Sequence, residues 1–318
     1  MVRHAFLVGT VLVFLVSGSA PLYGWGSATH AYIARAAGDQ QGPASLPEMY
    51  GAVLPDLFNL SFGDPYRESL WTPTHYEVTK LVEKAVSAGD KALAYGFASH
   101  NEAWGADRTA HVSSVGHPES GYVIRKSEEL AATLRPQVRL FLFFSGVLDP
   151  DPTIDEVLPM VAHTAVETAV DLLVSRNEDP EIGQRLVLAA QTRSWSAPVL
   201  LCKAYAADLA AATGTSEAVA APLMVAAEAE FRLQIEQYGT ALLQENAAEA
   251  LAQQGTDLAR QLLAAGGGLV LDIPEALMTQ ILDAALAAVK DDYAAQLAAT
   301  VTQVRQELQS HGLAAAAW

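Results

Sequence analysis

A helical period runs through almost the whole chain and leaves room for little else. Apolar residues, mostly Ala and Leu, recur at three- and four-residue spacing in "HAYIARAA" (30–37), across 78–98 and in "SEELAATL" (127–134). The same spacing continues in "DEVLPMVAHTAVETAVDLLV" (155–174) and through nearly everything after residue 184. That spacing places one apolar stripe on each helix, and the stripes must be buried against one another. The one segment that could pass for a strand, "VRLFLFF" (138–144), continues a helical pattern and lacks a turn signal before it, so it is read as a buried helix. The expectation is an all-α protein, a multi-helix bundle. Clusters of Gly, Pro, Asp, Asn and Ser mark loops at "DQQGPASLPEMYG", "NLSFGDPYRESLWTPT", "SSVGHPESG", "DPDPT" and "RNEDPEIG". A Gly triplet at 266–268 splits the tail, and Asp272 with Pro274 and Glu275 reads as a capped helix start. No internal repeat is visible.

The N-terminus differs. Arg3 is the only Lys or Arg of the first 24 residues, and the apolar run "AFLVGTVLVFLV" follows it before a polar, Gly-rich stretch. This is the pattern of a secretory signal peptide over 1–24, too short for a spanning helix. Pro21 hinders cleavage after Ala20, whereas Gly24 offers a small residue directly before Trp25, which would become the first residue of an exported chain. Removing the segment takes the formal charge from −17 to −18 and disfavours loose binding to nucleic-acid backbones. Cys202 is the single cysteine, so no intrachain disulfide is available; in "APVLLCKAY" it reads as a small buried hydrophobe.

Five of the eight histidines fall in an ordered polar series: Trp25, His30, Asp56, His75, His100, Asp107, His111, His163 and Glu167. Singly, each has an ordinary explanation. A lone His on a helix is usually a satisfied core or surface residue, Asp56 can cap a helix, and His75 can pack beside Tyr76. The pairs carry more. In "HTAVE", His163 and Glu167 stand four apart and share one face of an apolar helix, where an uncompensated charge is costly to bury and a bound metal removes that cost. In "SHNEAWGADRTAH", His100, Asp107 and His111 are spaced by seven and four, within about 40° of one another on one continuous helix. A carboxylate between two histidines can bridge two metal ions; the alternative is a surface stripe with a weak i,i+4 contact.

In order and residue type at all nine places, the series resembles the bacterial zinc-dependent phospholipase C family. The resemblance implies a helical bundle enclosing three zinc ions. One is held by Asp56, His75, His100 and Asp107, a second by His111, His163 and Glu167, and a third by Trp25, His30 and Asp107. Trp25 would bind through its α-amine and first carbonyl, which requires cleavage after Gly24. It implies hydrolysis of phospholipid head groups by metal-activated water, with Asp56 orienting or deprotonating that water and only transient contact with a membrane surface. Phe58, Phe62, Tyr66 and Trp71, in the loop between Asp56 and His75, are candidates for that contact. The chain departs from the family in one respect: seven residues, not four, separate His100 from Asp107, nearly one extra helical turn, and Gly105 is expected to mark a break that brings the two together. The likeness covers roughly 25–175, within a helical domain expected over 25–180. The remainder, 181–318, is expected to be an Ala-rich helical extension packing on the core. Two other readings compete: a related trinuclear zinc nuclease, which the negative charge and missing disulfides disfavour, and an exported helical scaffold without turnover.

Overall fold

The computed structural model describes residues 25–38, 45–57, 66–267 and 271–313. The leader segment 1–24 and the aromatics Phe58 and Phe62 lie outside the described residues, as does the side chain of Tyr66. Among the described residues the protein is all-α, with one isolated bridge between Ser114 and His117 and no strand.

Thirteen α-helices are described: α1 (Ser27–Ala37), α2 (Leu46–Val53), α3 (Tyr66–Tyr76), α4 (Thr79–Lys84), α5 (Ala88–His100), α6 (Tyr122–Phe144), α7 (Asp151–Leu173), α8 (Ile182–Thr192), α9 (Ser196–Thr213), α10 (Glu217–Leu242), α11 (Ala247–Gly267), α12 (Glu275–Val289) and α13 (Tyr293–Ser310). Local chemistry sets several boundaries. Ser87 and Asp90 form a reciprocal capping box that starts α5, each side chain accepting from the other's backbone N–H. Gly214, at φ 64°, closes α9 in the left-handed conformation that glycine adopts freely.

Several segments expected to be loops are helical: α2 begins within the first Pro-rich cluster, α3 runs through Pro73, and α7 starts at Asp151. Helix α12 begins at Glu275, two residues later than a cap at Asp272 would start it, with Pro274 at the N-cap; Asp272 is fully exposed and faces Arg260 instead. The 138–144 segment is helical, as the end of α6, but it is not a buried helix. Leu142 is buried, whereas Leu140 and Phe143 are each 57% exposed and Phe144 77%. A continuous apolar run covers every face of a helix, and the neighbours of α6 cover only one.

A single apolar core extends from Trp25 to Leu313 and includes residues of every helix from α8 to α13. Phe97 of α5, for example, stacks on Tyr205 of α9 with ring centroids 5.9 Å apart. The described residues of 181–318 therefore contribute side chains to this core. The segment Asp151–Glu178 is long and apolar enough to cross a membrane, yet about two-thirds of its most apolar stretch is buried by the rest of the protein. Cys202 is partly buried, its thiol 3.4 Å from the Ala221 carbonyl oxygen, and burial pushes its pKa up.

Candidate metal centre

The centre is built on a close crossing of two helices. A Cβ on Gly51 of α2 would sit 2.0 Å from the Leu93 carbonyl oxygen, and one on Gly96 of α5 would sit 1.9 Å from that of Glu48. Only glycines permit this approach. It lets His100, the last residue of α5, donate from Nδ1 to the Ala52 carbonyl at 2.7 Å. The bond fixes the ring so that Nε2 points away from α2, to 3.0 Å from Asp107 Oδ2 and 3.7 Å from Asp56 Oδ1. Asp56 ends the short 3-10 turn that follows α2.

His75 is held in the same manner. Its Nδ1 lies 3.1 Å from the Trp71 carbonyl and 2.9 Å from the Thr74 hydroxyl, leaving Nε2 3.7 Å from Asp107 Oδ2. Trp71 belongs to α3 rather than to a loop, and it stacks on His75 with ring centroids 5.4 Å apart. From α1, His30 brings Nε2 to 3.1 Å from Asp107 Oδ1 and stacks on His100 at 3.9 Å.

The seven-residue interval between His100 and Asp107 is closed by a turn, so His100, Asp107 and His111 do not lie on one continuous helix. Helix α5 stops at His100, and Asn101 takes over. Its Nδ2 donates to the Ala98 carbonyl at 2.6 Å, and its Oδ1 accepts from Trp104 N at 2.9 Å and Gly105 N at 3.3 Å. A Cβ on Gly105 would lie 2.7 Å from the backbone of Asn101 and Ser99, so the expected break falls at this glycine. The turn also buries Glu102, which the sequence reading missed. Its N–H donates to the His75 carbonyl at 3.0 Å, and its Oε2 accepts from His111 Nδ1 at 2.8 Å. His111 follows on a short π-helical segment, Arg108–Val112.

Two further sets of contacts fix the N-terminal segment. The Trp25 indole N–H donates to the Ala106 carbonyl (3.1 Å) and the Thr109 hydroxyl (3.0 Å), on either side of Asp107, and the Thr300 hydroxyl of α13 donates to Thr109 at 2.9 Å. Asp171 of α7 caps α1 from a distance, accepting from Ala28 N at 2.9 Å, Thr29 N at 2.8 Å and the Tyr238 hydroxyl at 2.7 Å. Segments distant in sequence thus hold His30 and Asp107 in place.

Burial and charge dominate the electrostatics. Burial and the neighbouring His100 hold His75 down to about 3, and the same two causes lower His30. Burial also works against charge on His100, but Asp107 and Asp56 outweigh it and raise this imidazole to about 9. Burial likewise opposes ionisation of Asp107, yet His100 and His30 hold it well below the usual carboxylate range. Burial pushes Glu167 up to about 7 and raises Glu102.

The donor set fits a divalent cation. His30 Nε2, His75 Nε2, His100 Nε2 and both oxygens of Asp107 are buried and, although close together, make no hydrogen bond. Their atoms fall into three groups compact enough to hold a metal ion: His30, His100 and Asp107; Asp56, His75 and His100; Glu102, Asp107 and His111. Mixed imidazole and carboxylate ligands suit zinc among the common ions. His163 and Glu167 pair at 3.0 Å on α7, as their spacing predicts, and the His163 ring lies 5.5 Å from that of His111; neither joins a compact three-ligand group. Trp25 is present through the indole contacts above. Compared with family models, curated proteins and solved structures, the chain matches none. Fold and site together define the class: an all-α protein with buried His and carboxylate clusters that could hold metal ions.

Proposed function

We propose that this chain is an exported zinc-dependent phosphodiesterase that hydrolyses phospholipid head groups, a phospholipase C in type. The observation that carries the reading is Asp107: a buried carboxylate with both oxygens free of hydrogen bonds, shared between two of the three compact groups and faced by three imidazoles. Zinc held there supplies positive charge for a phosphate diester and lowers the pKa of water. Asp56, His75, His100 and Asp107 would hold one ion; a second would be held at His111, which groups compactly with Glu102 and Asp107 and has the His163–Glu167 pair beside it, the His163 ring 5.5 Å away. A third is held by His30, Asp107 and the backbone of Trp25 once cleavage after Gly24 has freed its amine.

The protein supplies orientation and proton handling. The backbone carbonyls of Ala52 and Trp71 fix His100 and His75 by their Nδ1 atoms, which presents each Nε2 inward. Asp56 keeps an 11% exposed side chain, against 1% or less for His30, His75, His100 and Asp107, and is our candidate for the carboxylate that meets water and substrate. A carboxylate at this position would orient attacking water and take up its proton. The charge of −17 favours zwitterionic lipid over a nucleic-acid polyanion, and the membrane contact is transient.

The test is elemental mass spectrometry of protein exported with its native N-terminus, combined with N-terminal sequencing and turnover of phosphatidylcholine vesicles and single-stranded DNA. About three zinc ions, Trp25 first and lipid turnover are expected, and Asp107→Asn should lose zinc and turnover together. Cleavage of DNA alone would favour the nuclease, and a chain that takes up no zinc would refute the metal chemistry.

A further inference from the structure

The turn that closes the gap between His100 and Asp107 does more than shorten a distance. It carries a fourth carboxylate, Glu102, into the centre at a position no pairwise spacing in the sequence marks. Glu102 is 5% exposed, its own N–H is bonded to the His75 carbonyl, and its Oε2 sits 2.8 Å from His111 Nδ1. Because the carboxylate accepts and Nδ1 donates, the bond selects the His111 tautomer that is protonated at Nδ1 and carries its lone pair on Nε2, the atom through which it would ligate a metal. His100 and His75 have backbone carbonyls in this role; His111 has a charged acceptor, which makes a stronger bond. Among the described residues, the ion pair of Glu102 is with His111, at 2.8 Å.

From this geometry we infer that Glu102 is a positioning residue of the metal centre, orienting His111 and raising its basicity as a zinc ligand while its backbone links His111 to His75. The inference rests on the metal reading above and adds a residue outside the nine-member ligand series. The extra residues between His100 and Asp107 then have a use: they deliver the carboxylate that sets the His111 tautomer. The chain trades a direct helical link for a turn that serves two histidines.

The experiment compares full-length exported protein with its Glu102→Gln and Glu102→Ala variants by zinc stoichiometry, by zinc affinity in competition with a chromophoric chelator, and by the tautomer of His111. The tautomer is read from long-range 15N–1H NMR of histidine-labelled protein, the signal being assigned by its loss in His111→Gln. Glu102→Ala should bind its weakest zinc about 10- to 100-fold less tightly. Glu102→Gln, which keeps the shape and a neutral acceptor, should lose less, and in the wild type His111 should be protonated at Nδ1. Wild-type zinc affinity in both variants, or a His111 ring bound to metal through Nδ1, would overturn the inference while leaving the metal reading intact. A wild-type chain that binds no zinc would overturn both, and that outcome is visible before any variant is made. If Glu102→Ala does not fold, the isosteric Gln variant and the wild-type tautomer decide.

Discussion

Replacing Gly96 by alanine tests whether the α2–α5 crossing sets the centre. The new Cβ would meet the Glu48 carbonyl oxygen at 1.9 Å, its carbon at 2.7 Å and Ala52 N at 2.9 Å. All three are backbone atoms, so no side chain can swing aside, and ordinary contact requires the helices to part by about 1.5 Å. That movement stretches the 2.7 Å bond from His100 Nδ1 to Ala52 O beyond hydrogen-bonding range. Overpacking costs roughly 1–3 kcal/mol and the orphaned buried carbonyl about 1–3 more, while alanine returns about 1 through helix propensity. A net loss near 3 kcal/mol corresponds, at this chain length, to a fall in Tm of roughly 5 °C. Gly89, in the same helix, is the control, because its added Cβ meets nothing within 4 Å and Gly89→Ala should be neutral or stabilising by up to about 1 kcal/mol. Calorimetric melts of the two metal-free variants would decide. Equal Tm values for Gly96→Ala and Gly89→Ala would refute the crossing as the determinant of His100 geometry.

Two further outcomes follow from the site. Asp171→Ala removes the acceptor for two N–H groups at the start of α1 and for the Tyr238 hydroxyl, so it should destabilise by about 3–5 kcal/mol and weaken zinc binding through His30; a melt within 1 °C of wild type would contradict this. His100 carries a folded pKa of about 9 against an ordinary 6.5, so its protonation stabilises the metal-free fold fully below pH 6.5, and that contribution is lost as pH rises through 9. Between pH 7 and 9 metal-free protein should therefore lose stability, zinc-loaded protein and a His100→Gln variant should not, and zinc uptake at pH 7.5 should release a proton measurable in buffers of different ionisation enthalpy. Parallel pH profiles for all three samples would show that His100 is not the titrating group.

Helical period made the fold class legible because every helix buries one stripe, and the i,i+4 spacing placed His163 and Glu167 face to face. The His100–Asp107 contact was only half legible. Gly105 signalled a break, but the direction of the return depends on Asn101 bonding to its own neighbours, which has no periodic signature. Glu102 was missed for the same reason: nothing in a helical repeat brings it to His111. The available signal was chemical, an additional carboxylate inside the segment that already held two histidines and an aspartate. The apolar run at 138–144 misled in the opposite direction, since composition alone does not say which faces a neighbour will cover.

The bonds that reach the centre from the far end of the chain carry a consequence for timing. Thr300 of α13 supports Thr109, which receives the Trp25 indole, and the Arg305 side chain binds the carbonyls of Ala36 and Ala37 at the end of α1. The first helix therefore acquires its full set of partners only after the last one has been synthesised and has docked. A nascent or truncated chain that lacks α13 therefore lacks these supports of α1 and of the segment around Asp107, and would offer a metal ion an incomplete cage.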